Sequence, residues 1–135
     1  MSEENVEAFR RGIAAMNRGD IEGMLDECDP QVEWRDAINT MFGGEATIYR
    51  GLDAVRDLFG DLYGSFTKID ADYSDVRSMG EHELGLGHLR MLGRESGAET
   101  ESPVAALTTW RDGRALRVLT YLNHAEALEA AGLSE

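Results

Sequence analysis

The sequence predicts an α+β fold, a curved antiparallel β-sheet forming a cone around N-terminal helices, in the order α-α-β-α-β-β-β-β-α. Three observations predict it. Apolar residues recur at spacings of three and four in Val6, Phe9, Ile13 and Met16, and again in Leu52, Val55, Phe59, Leu62 and Phe66. From Thr67 onward the chain breaks into four runs of strand character divided by turn residues. The helices come early and the strands follow as a meander, the segregation that marks an α+β architecture. So small a helix cluster covers only one face of a sheet. The sheet therefore curls around the helices and leaves a cavity between them at the open end.

The elements follow in order. Ser2 to Asn17 reads as a helix, with Glu3 and Glu4 where the helix dipole favours negative charge. Gly19 ends it, and Asp20 caps a second, shorter helix carrying Ile21, Met24, Leu25 and Cys28 on one face, which Pro30 stops. Arg18-Gly19-Asp20 spells an adhesion tripeptide, but a C-cap glycine followed by an N-cap aspartate accounts for it. Val32 to Asp36 is a short strand, with Val32, Trp34 and Asp36 on one face and Glu33 and Arg35 on the other. Ala37 to Thr47 is a loop, longer than a plain connection of about 4–6 residues. Ile48-Tyr49-Arg50-Gly51 leads into the third helix. The four later runs cover 67–78, 83–94, 99–111 and 114–122, and Asp112-Gly113 is a strong two-residue hairpin signal between the last two. Asn123 to Ala131 is a closing helix, with Asn123 and Glu126 forming a capping box and Gly132 a left-handed stop.

The chain has 135 residues, which is one domain over 1–135, long enough to bury a core without a disulfide or metal staple. Thirteen Lys and Arg stand against 26 Asp and Glu, a net charge of −13. Such a field repels phosphate backbones and anionic membrane surfaces, which argues against nucleic acid as a partner. No apolar run is long enough for a secretory signal or a membrane span, so the expected compartment is the cytoplasm and no membrane partner is expected. The single Cys28 excludes an intrachain disulfide and a multi-cysteine zinc site, and on an apolar helix face it reads as a core thiol.

Several side chains are candidates for chemistry. Asp36, at a pocket mouth beside an indole, is a candidate general base whose pKa desolvation would raise; otherwise it is a solvated strand-end residue. His88 shares a strand face with Leu84, Leu86, Arg90 and Leu92. There a neutral imidazole relays a proton or orients a carbonyl, or else it sits on the sheet surface. Arg90 is a counterion for a carboxylate ligand or half of a surface ion pair. Trp34, Tyr49, Trp110 and Tyr121 carry the large aromatic surfaces a flat apolar ligand needs, and tyrosine hydroxyls donate to an oxyanion. Trp34 is the one expected to line the cavity. Asn123 is a ligand contact or a helix cap.

Other chemistries lack their motifs. His82, His88 and His124 have no metal-ligand spacing, so no metal is expected. Gly85-Leu86-Gly87-His88-Leu89-Arg90 begins like a dinucleotide fingerprint, but Arg90 replaces the last glycine and the run lies inside a strand. No phosphate loop and no nucleophile elbow is present, so no cofactor is expected.

Asn5-Val6-Glu7-Ala8-Phe9 through Gly19-Asp20, then Asp29-Pro30-Gln31-Val32-Glu33-Trp34 and Tyr49-Arg50-Gly51, resemble SnoaL-like proteins. So do Arg94-Glu95-Ser96-Gly97, Trp110-Arg111-Asp112-Gly113-Arg114 and Glu126 to Leu133. That is the polyketide-cyclase-like branch of the nuclear transport factor 2-like superfamily, which also holds ketosteroid isomerases and limonene epoxide hydrolases. The resemblance spans nearly the whole chain. It implies a cone with a pocket closed by the helices, and a homodimer through the outer sheet face. In ketosteroid isomerases an Asp base sits on the first strand; here the run ending Val32-Glu33 puts Trp34 at that place, with Asp36 two residues on and on the same face. The Arg and paired Asp of limonene epoxide hydrolases have no counterpart that aligns.

Together these readings point to a small-molecule pocket protein for a hydrophobic cyclic or ketone-bearing metabolite. As an enzyme it is a cofactor-independent cyclase, isomerase or hydratase, with Asp36 as base, Tyr49 or His88 as donor and Trp34 as wall. The alternatives are a non-catalytic ligand binder and a dimerising protein-association module on the same fold. Asp36 and His88 facing one cavity favours the enzyme.

Overall fold

A computed structural model describes residues 2–133. Helix α1 spans Ser2–Asn17 and α2 spans Ile21–Leu25. Between them Gly19 adopts φ +78°, a conformation costly for any side chain with a Cβ. Asp20 caps α2 as expected, accepting from the Gly23 N–H at 2.9 Å. The expected stop at Pro30 is displaced, because α2 ends at Leu25 and strand β1 already begins at Cys28, running Cys28–Asp36. Cys28 therefore enters the core from a strand and not from a helix.

The loop expected over 37–47 holds a short 3-10 helix, Ile38–Phe42. It is followed by a strand the sequence reading lacked, β2 at Thr47–Arg50, paired antiparallel to β1 with Trp34 opposite Tyr49. Gly51, at φ +91°, turns the chain from β2 into helix α3, Leu52–Ser65. Val55, Leu58, Phe59 and Leu62 are its buried stripe, the helical spacing of the sequence made solid.

The four later runs form β3 (Phe66–Met79), β4 (His82–Gly93), β5 (Glu99–Arg111) and β6 (Arg114–Tyr121), a meander of antiparallel neighbours. Asp112 and Gly113 both have positive φ, 52° and 80°, as the two-residue hairpin requires. The strand order is β2-β1-β6-β5-β4-β3, so β1 joins the meander at β6, and that pair is parallel. The result is one curved, open six-stranded sheet.

Helix α1 and α3 fill the concave face. Phe9, Met16, Val55 and Phe59 meet Val32, Trp34, Ile69, Tyr73, Leu89 and Trp110 in one core. Two glycines of β4 make room there. A Cβ on Gly85 would stand 3.0 Å from the Tyr73 ring and 3.2 Å from Phe9, which stack edge-on with centroids 5.0 Å apart. A Cβ on Gly87 would stand 2.1 Å from the Asp72 carbonyl oxygen, where β3 bulges between Tyr73 and Asp75.

The outer face carries a second core. Helix α4, His124–Ala130, lays Ala127 and Leu128 over Leu84, Leu86, Ala105 and Leu107. Asn123 caps it, its side-chain oxygen accepting from Ala125 N–H at 2.8 Å and Glu126 N–H at 3.2 Å. No helix of the described residues is long and apolar enough to cross a membrane.

Candidate functional site

Between α1 and the concave sheet lies a cavity of about 70 Å³, partly open to the outside. Its wall is built from Phe9 and Met16 of α1, Met24 of α2, Trp34 of β1, Phe59 of α3 and Leu89 of β4, among others. The wall is overwhelmingly apolar. The volume is about half that of a ~150 Å³ apolar cavity that admits benzene. Met16 and Met24 are the adaptable part of the wall, since an unbranched thioether repacks at low cost.

Trp34 is 8% exposed and lines this cavity, stacked edge-on against Phe59 with centroids 5.2 Å apart. Asp36, two residues on and on the same face, also lines it and is 2% exposed. This is deeper than a pocket-mouth residue. Its Oδ1 accepts the Ile38 N–H at 3.2 Å, while Oδ2 has no hydrogen-bond partner. Burial raises its pKa above the ordinary 3.8, opposed by the backbone N–H groups of Ile38 and Asn39 and by Arg35. The neighbouring Thr120 is fully engaged, its hydroxyl donating to the Arg35 carbonyl at 2.6 Å and accepting the Ala37 N–H at 3.0 Å. Thr120 thus fixes the strand end that carries Asp36. A second carboxylate on the lining, Glu27, is tied to Arg11 at 3.0 Å.

Trp110 joins Trp34 and Asp36 on the cavity wall, 6% exposed. The other expected site residues lie elsewhere. His88 and Arg90 are exposed on the outer face of β4, and Arg90 binds Glu99 at 2.7 Å. The leucines that share their face, Leu84 and Leu86, are buried by α4 and not by the cavity. Tyr121 also belongs to the outer face, packed beside the α4 core with the Arg35 guanidinium 4.5 Å from its ring centroid. Asn123 is the exposed α4 cap. Tyr49 is half-buried on β2, packed against the core but not on the cavity wall.

The sequence reading missed two polar residues on the concave side. Thr108 of β5 lines the cavity and is 1% exposed. Glu83 of β4 stands directly across from it and is 2% exposed. Burial pushes the Glu83 carboxyl up to about 7, against the weaker pull of the Trp110 indole N–H and of Arg10. The signal was present: Glu83 is in phase with Gly85, Gly87, Leu89 and Met91, the inward set of β4. Cys28, also on the wall, is a buried thiol whose pKa burial raises to about 12, so it is no nucleophile near neutrality.

The model of the SnoaL-like domain matches residues 9–118. The chain belongs to the SnoaL-like family. Solved structures of the nuclear transport factor 2-like fold agree with it over almost its whole length. One is an NTF2-like protein of unknown function from Burkholderia pseudomallei, 20% identical over 93% of this chain and 95% of that one, with a TM-score of 0.79. TerC, co-crystallised with polyporic acid, is 20% identical over 93% and 96%, with a TM-score of 0.78. A protein of ketosteroid isomerase-like fold from Catenulispora acidiphila, in complex with trimethylamine, is 12% identical over 94% and 93%, with a TM-score of 0.76. No curated protein matches the sequence. At these identities the solved structures establish the fold of this SnoaL-like chain and nothing finer.

Proposed function

We propose that this SnoaL-like protein binds a small apolar cyclic molecule bearing a ketone in the cavity between α1 and the sheet. Asp36 then acts on it as a cofactor-independent base, moving a proton at a carbon next to the carbonyl. One observation carries the reading: a carboxylate 98% removed from solvent keeps Oδ2 without a partner on an apolar wall beside Trp34. A structural aspartate in that position would have both oxygens bonded, because an unmet buried charge is costly. Raised basicity is what proton abstraction near neutral pH asks of a carboxylate. The superfamily resemblance supports the same class, isomerase-like or cyclase-like. TerC, of the same fold, was crystallised with a small molecule.

A non-catalytic binder is the second reading, and the displacement of the expected donors favours it. Tyr49 is off the wall and His88 is on the outer face, so neither stands by to donate to an enolate. A homodimer through the outer sheet face, in the cytoplasm, completes the proposal. The uncovered part of that face presents His88, Arg90 and Leu92, the last 38% exposed.

Exchange of the α-protons of cyclohexanone in D2O, followed by proton NMR, separates the two readings. The catalytic reading expects exchange above the buffer rate, falling about 100-fold or more in Asp36→Asn. Equal rates for the two proteins leave the binder.

A further inference from the structure

Among the described residues, five buried side-chain polar atoms make no hydrogen bond of good geometry: Asp36 Oδ2, both Glu83 carboxylate oxygens, the Thr108 hydroxyl and the Trp110 indole nitrogen, although the indole N–H is near enough to Glu83 to pull on its carboxyl. The last four form a cluster. Register places Trp34, Val118, Thr108 and Glu83 in one row across β1, β6, β5 and β4. Trp110 follows Thr108 by two residues on the same concave face, and both line the cavity. Thr108 and Trp110 thus bring unmet polar atoms to the cavity wall two strands from β1, and Glu83 stands beside them on β4, behind that wall; all three are at least nine-tenths buried. Folded chains rarely leave such atoms unmet, since each costs about 1–3 kcal/mol.

We propose that Glu83, Thr108 and Trp110 form a polar subsite of the cavity that binds an uncharged hydroxyl group on the ligand, apart from the carbon whose proton Asp36 would take. This rests on the reading of the cavity as a ligand pocket. The chemistry of the three groups selects the hydroxyl. The indole N–H only donates, a carboxylate only accepts, and a threonine hydroxyl does both. A ligand hydroxyl donates to Glu83 and accepts from Thr108 or Trp110 at once. A ligand carbonyl only accepts, and serves Glu83 only in its protonated form, whereas a ligand hydroxyl serves it in either form. A cation would answer Glu83 but would face the indole N–H and the field of Arg10. The surroundings are apolar, with the Phe9 and Tyr73 rings against Gly85, so a ring that carries the hydroxyl fits. The ligand class is an alicyclic alcohol or a phenol.

Phenol and benzene, alike in size, test this by ligand-observed NMR titration of the full chain. The expected result is phenol binding about fivefold tighter than benzene. Thr108→Val removes one hydroxyl without changing shape and should bring the ratio close to one; Thr108→Ser should restore it. Trp110→Phe, which removes the indole N–H, should lower the ratio as well, and circular dichroism confirms that each variant is folded. Phenol no tighter than benzene in the wild type, or a ratio unchanged in both Thr108→Val and Trp110→Phe, overturns the subsite and leaves the pocket standing. Failure of both ligands to bind overturns the pocket and the subsite together.

Discussion

The carboxamide of Asn17 pairs with both backbone groups of Ala71, its Nδ2 donating to the carbonyl and its Oδ1 accepting the N–H, each at 2.9 Å. Asn17 is the last residue of α1, and β3 is an edge of the sheet. One side chain thus does the work of a neighbouring strand at an unpaired edge, and it holds the helix that roofs the cavity. Asn17→Ala removes both bonds and should cost about 2 kcal/mol. Urea unfolding should show a lower midpoint with an unchanged slope.

Gly87 is fixed by space and not by turn geometry. A Cβ there would meet backbone at 2.1 Å, with no flexible side chain to give way. Gly87→Ala should destabilise by at least 1–3 kcal/mol, the usual scale of overpacking, ~ an order of magnitude in the folding constant or more. The substitution should open the β3 bulge, seen as faster amide exchange at Tyr73 and Asp75. Gly80→Ala, at a turn with φ +73°, should leave those amides protected.

Trp34 is both wall and core, so truncation has a compound effect. Trp34→Ala should lose about 3–5 kcal/mol, in keeping with a buried aromatic stacked on Phe59. Trp34→Phe keeps a ring on the wall and should remain folded while weakening benzene binding. Thermal melts and the same titration check both.

Glu83 should make stability fall as pH rises. Its folded pKa of about 7 lies above its ordinary 4.5, so between those values the folded state holds a proton that the unfolded state has released. The stability lost across that window is up to about 3 kcal/mol. Below pH 4.5 the effect is absent. Glu83→Gln should be the more stable protein at pH 8, with the gap closing as the solution is acidified. Urea unfolding of the pair at several pH values measures it. A gap independent of pH would mean the carboxyl is not shifted.

The parts legible in the sequence were those that local chemistry decides. Asp20, Asn123 and Asp112-Gly113 mark helix starts and a hairpin by their own hydrogen bonding and φ preferences, and the structure keeps each. Trp34 and Asp36 were on one face by alternation, and that face is the cavity. Which face of β4 meets the cavity was left open by the sequence. Alternation sorted its residues into two sets correctly, but the leucine-rich set faces outward because α4 buries it, while the inward set holds Gly85 and Gly87 to make room for Phe9 and Tyr73. Of the two places open to His88 the structure takes the sheet surface, and Glu83 was passed over. Strand β2 escaped notice because four residues carry too short a period, and pairing with β1 defines it. The parallel β1–β6 contact joins residues some 80 positions apart, which no local pattern encodes.

The central claim is that the hollow beneath α1 receives an apolar molecule. Benzene titrated into protein labelled with carbon-13 at methionine and isoleucine methyl groups tests it most directly. Saturable shifts at Met16, Met24 and Ile38, all on the cavity wall, with Met79 of the outer core unmoved, are the predicted result. Shifts confined to Met79 or other residues off the wall, or no saturable shift at any methyl group, would contradict it.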